Sequence, residues 1–329
     1  MKKIMLLFFL LASIASKAQV IHKRTLSMLG SPFEMIVEAK DIPEGDRYID
    51  QAVAEVSRIE NLISDWIPTT AISEVNKNAG IKPVKVPKEV FDLVERALRI
   101  SELTSGAFDI SYASMDKIWK FDGSMKQMPL PEEIKKSVAR VGYKKVILDQ
   151  DNSTIFLKEE GMKLGLGGIG QGYIADKIKS LLVQEGVKAG IVNISGDINT
   201  WGKQLNGEQW KIGIKNPLNK DKVFATFPLE DTAVETSGSY EKYVTFDGVR
   251  YSHIIDTRTG YPVRGVISVT VFAKSCEFAD ALATGLFVLG VDVGIDLVDQ
   301  LPGIGCIYVD DKGKIFTSKN IDLKKYSHE

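Results

Sequence analysis

Cysteine is scarce in this sequence, which has only Cys276 and Cys306 among its 329 residues. Two cysteines in so long a chain exclude the small, disulfide-rich class of secreted proteins. Both residues lie in apolar segments that are typical of a protein core, where free cysteine is common. A disulfide between them would need an oxidising compartment, so the sequence leaves their pairing open.

Long apolar runs and blocks of like charge are also missing from most of the chain. The 42 basic and 43 acidic residues nearly balance, with no basic block that would indicate binding to nucleic acid. Beyond residue 20, charge or glycine interrupts every apolar run, so no stable membrane insertion is expected. The 44% hydrophobic content is ordinary for a globular protein. Without a repeat or linker, residues 19–329 are predicted to form a single domain.

The first residues have the pattern of a secretory signal peptide. Lys2 and Lys3 precede an apolar run over residues 4–12, and small residues follow up to Ala18. The run is too short to cross a bilayer of about 30 Å as a helix. We therefore expect residues 1–18 to be removed near Ala18 and the remaining chain to be exported to the periplasm. The alternative is that the segment remains as a membrane anchor.

Hydrophobic periodicity predicts an α+β fold with a largely antiparallel sheet flanked by helices. Strands follow one another mostly through short turns, and a few long helices interrupt them. A hairpin is predicted over residues 22–39 and a second at 146–157, while residues 110–130 show no period. Helices are predicted at 45–63, 87–103, 173–185, 277–289 and 293–301, and further strands at 190–194, 210–214, 223–229, 243–245, 267–273, 304–309 and 314–316.

A glycine-rich segment at residues 165–172 leads directly into one of the predicted helices. Closely spaced glycines, among them Gly168, Gly170 and Gly172, let the backbone approach a ligand. The free N–H groups at the start of the helix suit an anion such as a diphosphate. The spacing matches neither the dinucleotide fingerprint nor the P-loop. The alternative is a tight turn that binds nothing.

Asp280 and Thr284 are four residues apart within a predicted helix, so both side chains lie on one face. A carboxylate and a hydroxyl together suit a hard cation such as Mg²⁺, with phosphate oxygens and water as further ligands. The alternative is an exposed aspartate and a threonine that hydrogen-bonds to its own helix.

Three further segments carry polar or aromatic side chains suited to a ligand. Residues 235–240 are expected to form a loop in which Gly238 and small hydroxyl residues such as Ser237 can contact phosphate or ribose. His253, with Asp256 three residues later, favours a polar site over a buried histidine in the core. Trp66 either stacks on a flat ring or covers the core, and Asp109 lies in a polar loop that follows a helix.

These segments resemble, in order and spacing, the motifs of the FAD:protein FMN transferases, the ApbE family, over residues 28–309. The resemblance implies a T-fold-like α+β domain that uses FAD as its substrate and Mg²⁺ as its metal. It implies transfer of the FMN half of FAD to a Thr or Ser hydroxyl of another protein, with release of AMP. The implied acceptors are domains of exported redox flavoproteins that carry a Thr/Ser flavinylation motif.

The resemblance also assigns roles to individual residues. Asp280, Thr284 and the main-chain carbonyl of Gly170 match the metal ligands of the family. His253 is the candidate general base for the acceptor hydroxyl, and Asp256 is the second candidate catalytic residue. The matching FAD contacts are Trp66, Asp109, Gly168, Gly172, Ser195, Ser237, Gly238, Tyr240 and His253.

The glycine segment departs from the usual family sequence at three positions. Gly165, Gly170 and Gln171 stand where the family usually has aspartate, alanine and lysine. We hypothesise that the usual acid and base form a salt bridge, since losing both partners together costs little. Restoring lysine alone at position 171 should then harm folding or FAD affinity more than restoring both residues.

Two other functions fit the same residues. With water in place of the acceptor hydroxyl, the chain would be a metal-dependent FAD diphosphatase that gives FMN and AMP. Without catalysis, it would be an exported FAD-binding protein.

Overall fold

The computed structural model describes residues 19–239 and 242–327 as a mixture of helices and antiparallel sheets. The predicted α+β class is confirmed, whereas the likeness to the T-fold and the division into one domain stay expectations. The signal peptide and Tyr240 lie outside the described residues. The strands are β1 Val20–Met28, β2 Ser31–Ala39, β3 Val84–Lys85, β4 Val146–Asp149, β5 Thr154–Leu157, β6 Gly190–Ile194, β7 Asp197–Trp201, β8 Trp210–Asn216, β9 Asn219–Leu229, β10 Ala233–Gly238, β11 Tyr243–Phe246, β12 Val249–Ser252, β13 Val266–Ala273, β14 Gly305–Asp310 and β15 Ile315–Thr317. The α-helices are α1 Ile42–Ile63, α2 Ala71–Lys77, α3 Lys88–Leu103, α4 Pro131–Ser137, α5 Gly170–Gln184, α6 Cys276–Leu289 and α7 Val291–Val298.

An eight-stranded sheet organises the molecule, in the order β1-β2-β6-β7-β10-β13-β14-β15. Neighbouring strands in this sheet pair antiparallel throughout. A small sheet of β3, β5 and β4 and the hairpins β8–β9 and β11–β12 lie outside it. Strands β7 and β10, which carry residues of the candidate site, are therefore central in the sheet and are paired on both sides.

The two faces of β10 pack against different layers, because side chains alternate along a strand. Ala233 belongs to the large core that includes residues of α1 and α5. Val234 points the other way and packs with Phe227 of β9 and Phe272 of β13. Every second residue of β10 from Ala233 onward consequently faces the helical layer.

Helices α5 and α6 lie against each other over this face of the sheet. Asp176 of α5 accepts hydrogen bonds from the N–H groups of Cys276 and Glu277 at 2.8 and 3.1 Å. It also accepts one from the hydroxyl of Ser275 at 2.7 Å, and Ser275 in turn caps α6 through the N–H of Phe278. An acidic side chain at a helix N-terminus is favourable both as a cap and for the helix dipole. Asp176 thus fixes where α6 begins relative to α5.

Some sequence predictions need correction. Ser237 and Gly238 do not lie in a loop, because they end strand β10 and pair with β13. Strand β7 is not among the strands that the sequence predicts. Cys276 and Cys306 are both buried and both free. Across the described residues, no helix combines the length and apolarity that a membrane crossing requires.

Candidate active site

The glycine segment lies where α5 meets α6. Helix α5 starts at Gly170, and none of the described side chains caps its N-terminus. The N–H of Gly172 donates to Oδ2 of Asp280 at 3.1 Å, which holds that carboxylate at the start of the helix. A Cβ on Gly172 would lie only 2.3 Å from the carbonyl oxygen of Cys276. Glycine is therefore required here for close packing of the two helices.

Thr284 lies one helical turn beyond Asp280 and faces two other predicted site residues. Its hydroxyl is 3.5 Å from the hydroxyl of Ser237 on β10. It is also 3.3 Å from the position that a Cβ on Gly168 would occupy. The fold thus brings Gly168, Gly172, Ser237, Asp280 and Thr284 into one region.

Asp280 also lies beside two carboxylates that the sequence reading did not assign to a metal. Oxygen atoms of Asp197, Glu235 and Asp280 are all within 4.8 Å of one another, and the three side chains are buried. Oδ1 of Asp197 and Oε2 of Glu235 have no hydrogen-bond partner among the described residues. The sequence gives little signal for Glu235, because the polar residues 236–239 that follow it suggest a loop. Only the contact across two strands identifies it as part of a cluster.

The pKa values of this carboxylate cluster are shifted upward. Burial raises the pKa of Asp280, and the hydrogen bond from Gly172 opposes that shift. Burial also raises the pKa values of Asp197 and Glu235, and the neighbouring carboxylates raise them further. Bringing a cation to the cluster would favour the ionised carboxylates.

His253 follows strand β12 and is half-buried. Its Nδ1 lies 3.1 Å from the main-chain oxygen of Lys242. Because a carbonyl oxygen only accepts, Nδ1 carries the proton in the neutral ring and Nε2 is left as an acceptor. Burial lowers the pKa of His253, although the hydrogen bond to Lys242 opposes this shift. The ring is therefore disposed to be neutral near pH 7.

The hairpin that precedes His253 is tied to the end of β10. The Nη2 of Arg250 donates to the main-chain oxygen of Ser239 at 2.7 Å. Asp256 is held by Arg258 instead, through paired contacts of 2.8 and 2.9 Å to its two carboxylate oxygens. Both oxygens of Asp256 are thus engaged, and its catalytic role stays a prediction.

Asp109 is buried and serves as a structural acceptor. It accepts from the N–H and hydroxyl of Ser111 at 2.8 and 2.6 Å, and from the N–H of Tyr143 at 2.7 Å. Burial raises the pKa of Asp109 above its ordinary value, and these hydrogen bonds offset only part of that rise. Asp109 also lines a cavity of about 260 Å³ together with Thr257 and Arg258. These three hydrogen bonds leave Oδ2 able to accept another, and a contact between the carboxylate and FAD stays a prediction.

Trp66 is 80% exposed, so it does not cover the core. The Nζ of Lys117 lies 5.1 Å from the centre of its ring. Trp66 forms one wall of a groove of about 220 Å³, which Gly170 and Gln171 also line. The groove therefore connects the exposed indole with the start of α5, as stacking of a flat ring would need.

Two predicted residues lie at the margin of this region. Ser195 is exposed in the turn between β6 and β7, with a φ of 57°, and its N–H donates to the oxygen of Pro32 at 2.9 Å. Gly170 is the predicted carbonyl ligand, and a Cβ added to it would lie 3.3 Å from the Cδ1 of Ile63. Their ligand contacts stay predictions.

Gly165 has a physical reason in this chain. A Cβ at this position would lie 3.0 Å from both the Cβ of Ala113 and the hydroxyl oxygen of Tyr112. The phenol therefore occupies the space into which an aspartate side chain would extend. Gln171 is half-buried in the groove beside Trp66. This chain therefore lacks both the usual aspartate and the usual lysine, and Tyr112 occupies the space beside position 165.

Comparison with known proteins places the chain in a family. The ApbE family model matches residues 29–308. A Klebsiella pneumoniae FAD:protein FMN transferase is 30% identical over 91% of this chain and 92% of its own length. A Treponema pallidum protein of the same name is 33% identical over 83% of this chain and 80% of its own length.

Solved structures agree with the sequence relatives. The crystal structure of the ApbE protein from Thermotoga maritima has a TM-score of 0.83 and 31% identity, covering 94% of this chain and 100% of that one. The Pseudomonas stutzeri flavinyl transferase ApbE has a TM-score of 0.81 and 26% identity, with 92% and 95% covered. This chain therefore belongs to the ApbE family, and the relatives that it matches are enzymes named FAD:protein FMN transferase.

Proposed function

We propose that this chain transfers FMN from FAD to a Thr or Ser hydroxyl of an acceptor flavoprotein, with Mg²⁺ required and AMP released. The observation that carries the proposal is the buried Asp280 carboxylate at the uncapped start of α5, one helical turn from Thr284, in a member of the ApbE family. The N-terminal signal pattern supports export to the periplasm, where the acceptors would be domains of exported redox flavoproteins.

The reaction exchanges one phosphorus–oxygen bond for another. The acceptor oxygen forms a bond to the FMN phosphorus, the diphosphate bond breaks, and AMP leaves with the bonding electron pair. The proton of the hydroxyl must pass to a base during the attack. Nε2 of His253 suits this role, because Nδ1 donates to Lys242 and burial favours the neutral ring.

The donor groups present fit Mg²⁺, since this ion prefers oxygen ligands and binds few protein carboxylates. Asp280, Thr284 and the carbonyl of Gly170 would hold it. When bound, the ion neutralises charge on the diphosphate. The N–H of Gly172 orients the Asp280 carboxylate, and the positive end of the α5 helix dipole favours an anionic ligand. Trp66 offers an exposed ring on which the isoalloxazine can stack.

The test is AMP release from FAD by residues 19–329, with and without Mg²⁺ and an acceptor domain that carries the Thr motif. Release should require both, and flavin fluorescence should remain on the acceptor band of a denaturing gel. Equal release without the acceptor would make the chain a diphosphatase. Bound FAD with no AMP release would indicate a carrier instead.

A pair of variants tests the metal assignment. Asp280→Asn removes a charged ligand from the buried site, and we expect Mg²⁺-dependent release to fall by at least about 100-fold. Asp151→Asn removes an exposed carboxylate from the turn between β4 and β5 and should leave turnover unchanged. Circular dichroism should confirm that both variants fold. Equal turnover in the two variants would contradict the assignment of Asp280.

A further inference from the structure

Two rungs of polar side chains connect α6 with β10. Thr284 and Ser237 form one rung, with their hydroxyl oxygens 3.5 Å apart. Asp280 and Glu235 form the other, with carboxylate oxygens within 4.8 Å. Four residues along a helix span about 6 Å, and two along a strand span about 6.7 Å. The two rungs therefore lie about one helical turn apart, so an ion on the carboxylate rung can lie beside one that Asp280 and Thr284 share.

Asp197 extends the carboxylate rung across the sheet. Val234 of β10 pairs with Ile198 of β7, so the next position along this register places Glu235 opposite Asp197. Like charges directly opposite each other in an antiparallel pair are destabilising. Both side chains are more than nine-tenths buried, at 5% and 7% exposure.

Positive charge does not compensate this cluster within the described part of the chain. None of the salt bridges there involves Asp197, Glu235 or Asp280. Lys179 donates instead to the Asn199 side chain at 3.2 Å and to the main-chain oxygen of Thr200 at 2.9 Å. Three buried carboxylates without a cation are costly, and two of their oxygens have no hydrogen-bond partner among the described residues.

We propose that Asp197, Glu235 and Asp280 bind one divalent cation with a preference for oxygen ligands, in addition to the ion assigned to Asp280 and Thr284. Oxygen ligands at about 2.1–2.6 Å from an ion lie at most about 4.2–5.2 Å apart. The separation of up to 4.8 Å among these carboxylates falls in that range. The unpartnered oxygens of Asp197 and Glu235 supply lone pairs for this inner cation.

The inner cation would balance most of the buried charge. Three ionised carboxylates and one divalent ion leave a single negative charge on the cluster. Asp280 would then stay ionised and would also bind the ion that it shares with Thr284. The inner site rests on this geometry and does not depend on the proposed transferase reaction.

The test is binding of Mn²⁺ to residues 19–329 without FAD, measured by the loss of the free Mn²⁺ signal in electron paramagnetic resonance. Glu235→Gln keeps the shape of the side chain and removes one ligand charge. We expect it to weaken Mn²⁺ binding by at least about tenfold, because removing even an outer support of a metal ligand costs that much. Asp197→Asn should do the same, so the test does not depend on the folding of one variant.

Thr284→Val is the matched control, because it removes a hydroxyl from the other rung. It should leave the tightest Mn²⁺ site within about twofold of the wild type, and Mn²⁺ should raise the melting temperature of this variant more than that of Glu235→Gln. No Mn²⁺ binding without FAD, or unchanged binding in both carboxylate variants, would overturn the inner site. Equal loss in Thr284→Val would mean one shared site instead of two. If the wild type binds Mn²⁺ but releases no AMP from FAD, the proposed transferase activity is refuted and the inner site is not.

Discussion

Replacing Gly172 with alanine tests the close contact between α5 and α6 on which the site depends. The new Cβ would lie 2.3 Å from the carbonyl oxygen of Cys276 and 2.9 Å from the Cβ of Asp280. Backbone atoms cannot rotate away as a side-chain tip can, so the two helices would have to separate. Overpacking of this kind costs about 1–3 kcal/mol, and a gain of up to about 1 kcal/mol in helix propensity offsets part of it.

We therefore expect Gly172→Ala to lower the free energy of unfolding by about 1–2 kcal/mol and to displace Asp280 from its N–H donor. Gly170→Ala is the matched control in the same helix, since its Cβ would meet only the flexible Cδ1 of Ile63 at 3.3 Å. The control should be as stable as the wild type or slightly more stable. Guanidinium denaturation and AMP release measure the two effects. A Gly172→Ala variant that matches Gly170→Ala in both assays would refute the reasoning.

Four further predictions concern individual residues. Asp176→Asn should lower the free energy of unfolding by about 1–3 kcal/mol, and an unchanged denaturation midpoint would contradict its role in starting α6. His253→Gln should slow AMP release by about 10²–10⁴-fold, whereas His22→Gln on β1 should not; equal rates would exclude His253 as the base. Because burial lowers the pKa of His253 below its ordinary value of 6.5, wild-type turnover should fall on acidification only as the ring gains a proton, at a lower pH than an unperturbed histidine would give. Gly165→Asp should weaken FAD binding in a titration, and Tyr112→Ala should relieve that effect; equal weakening in the single and double variants would contradict the steric explanation.

Long periodic elements were predictable because local pattern alone determines them. The amphipathic spacing at residues 45–63 is realised as α1, and the alternating segments around Gly30 form the hairpin β1–β2. The pair Asp280 and Thr284 was also visible, since a spacing of four places both side chains on one helical face. These inferences needed no knowledge of what lies across the sheet.

The carboxylate cluster was not predictable in the same way. Strand β10 contains Glu235, Thr236, Ser237 and Gly238, whose polar and flexible character suggests a loop. Pairing with β7 and β13 makes it a strand nonetheless, and only that pairing brings Asp197 opposite Glu235. A contact between residues so far apart in sequence depends on strand register, which local composition does not encode.

The most direct test of the proposed transfer is the intact mass of an acceptor domain after incubation with FAD, Mg²⁺ and residues 19–329, with AMP quantified in the same reaction. We expect the acceptor to gain the mass of one FMN for each AMP released, and to gain nothing when Mg²⁺ is chelated or the acceptor Thr is replaced by Ala. AMP and free FMN in equal amounts, with no change in the mass of the acceptor, would contradict transfer.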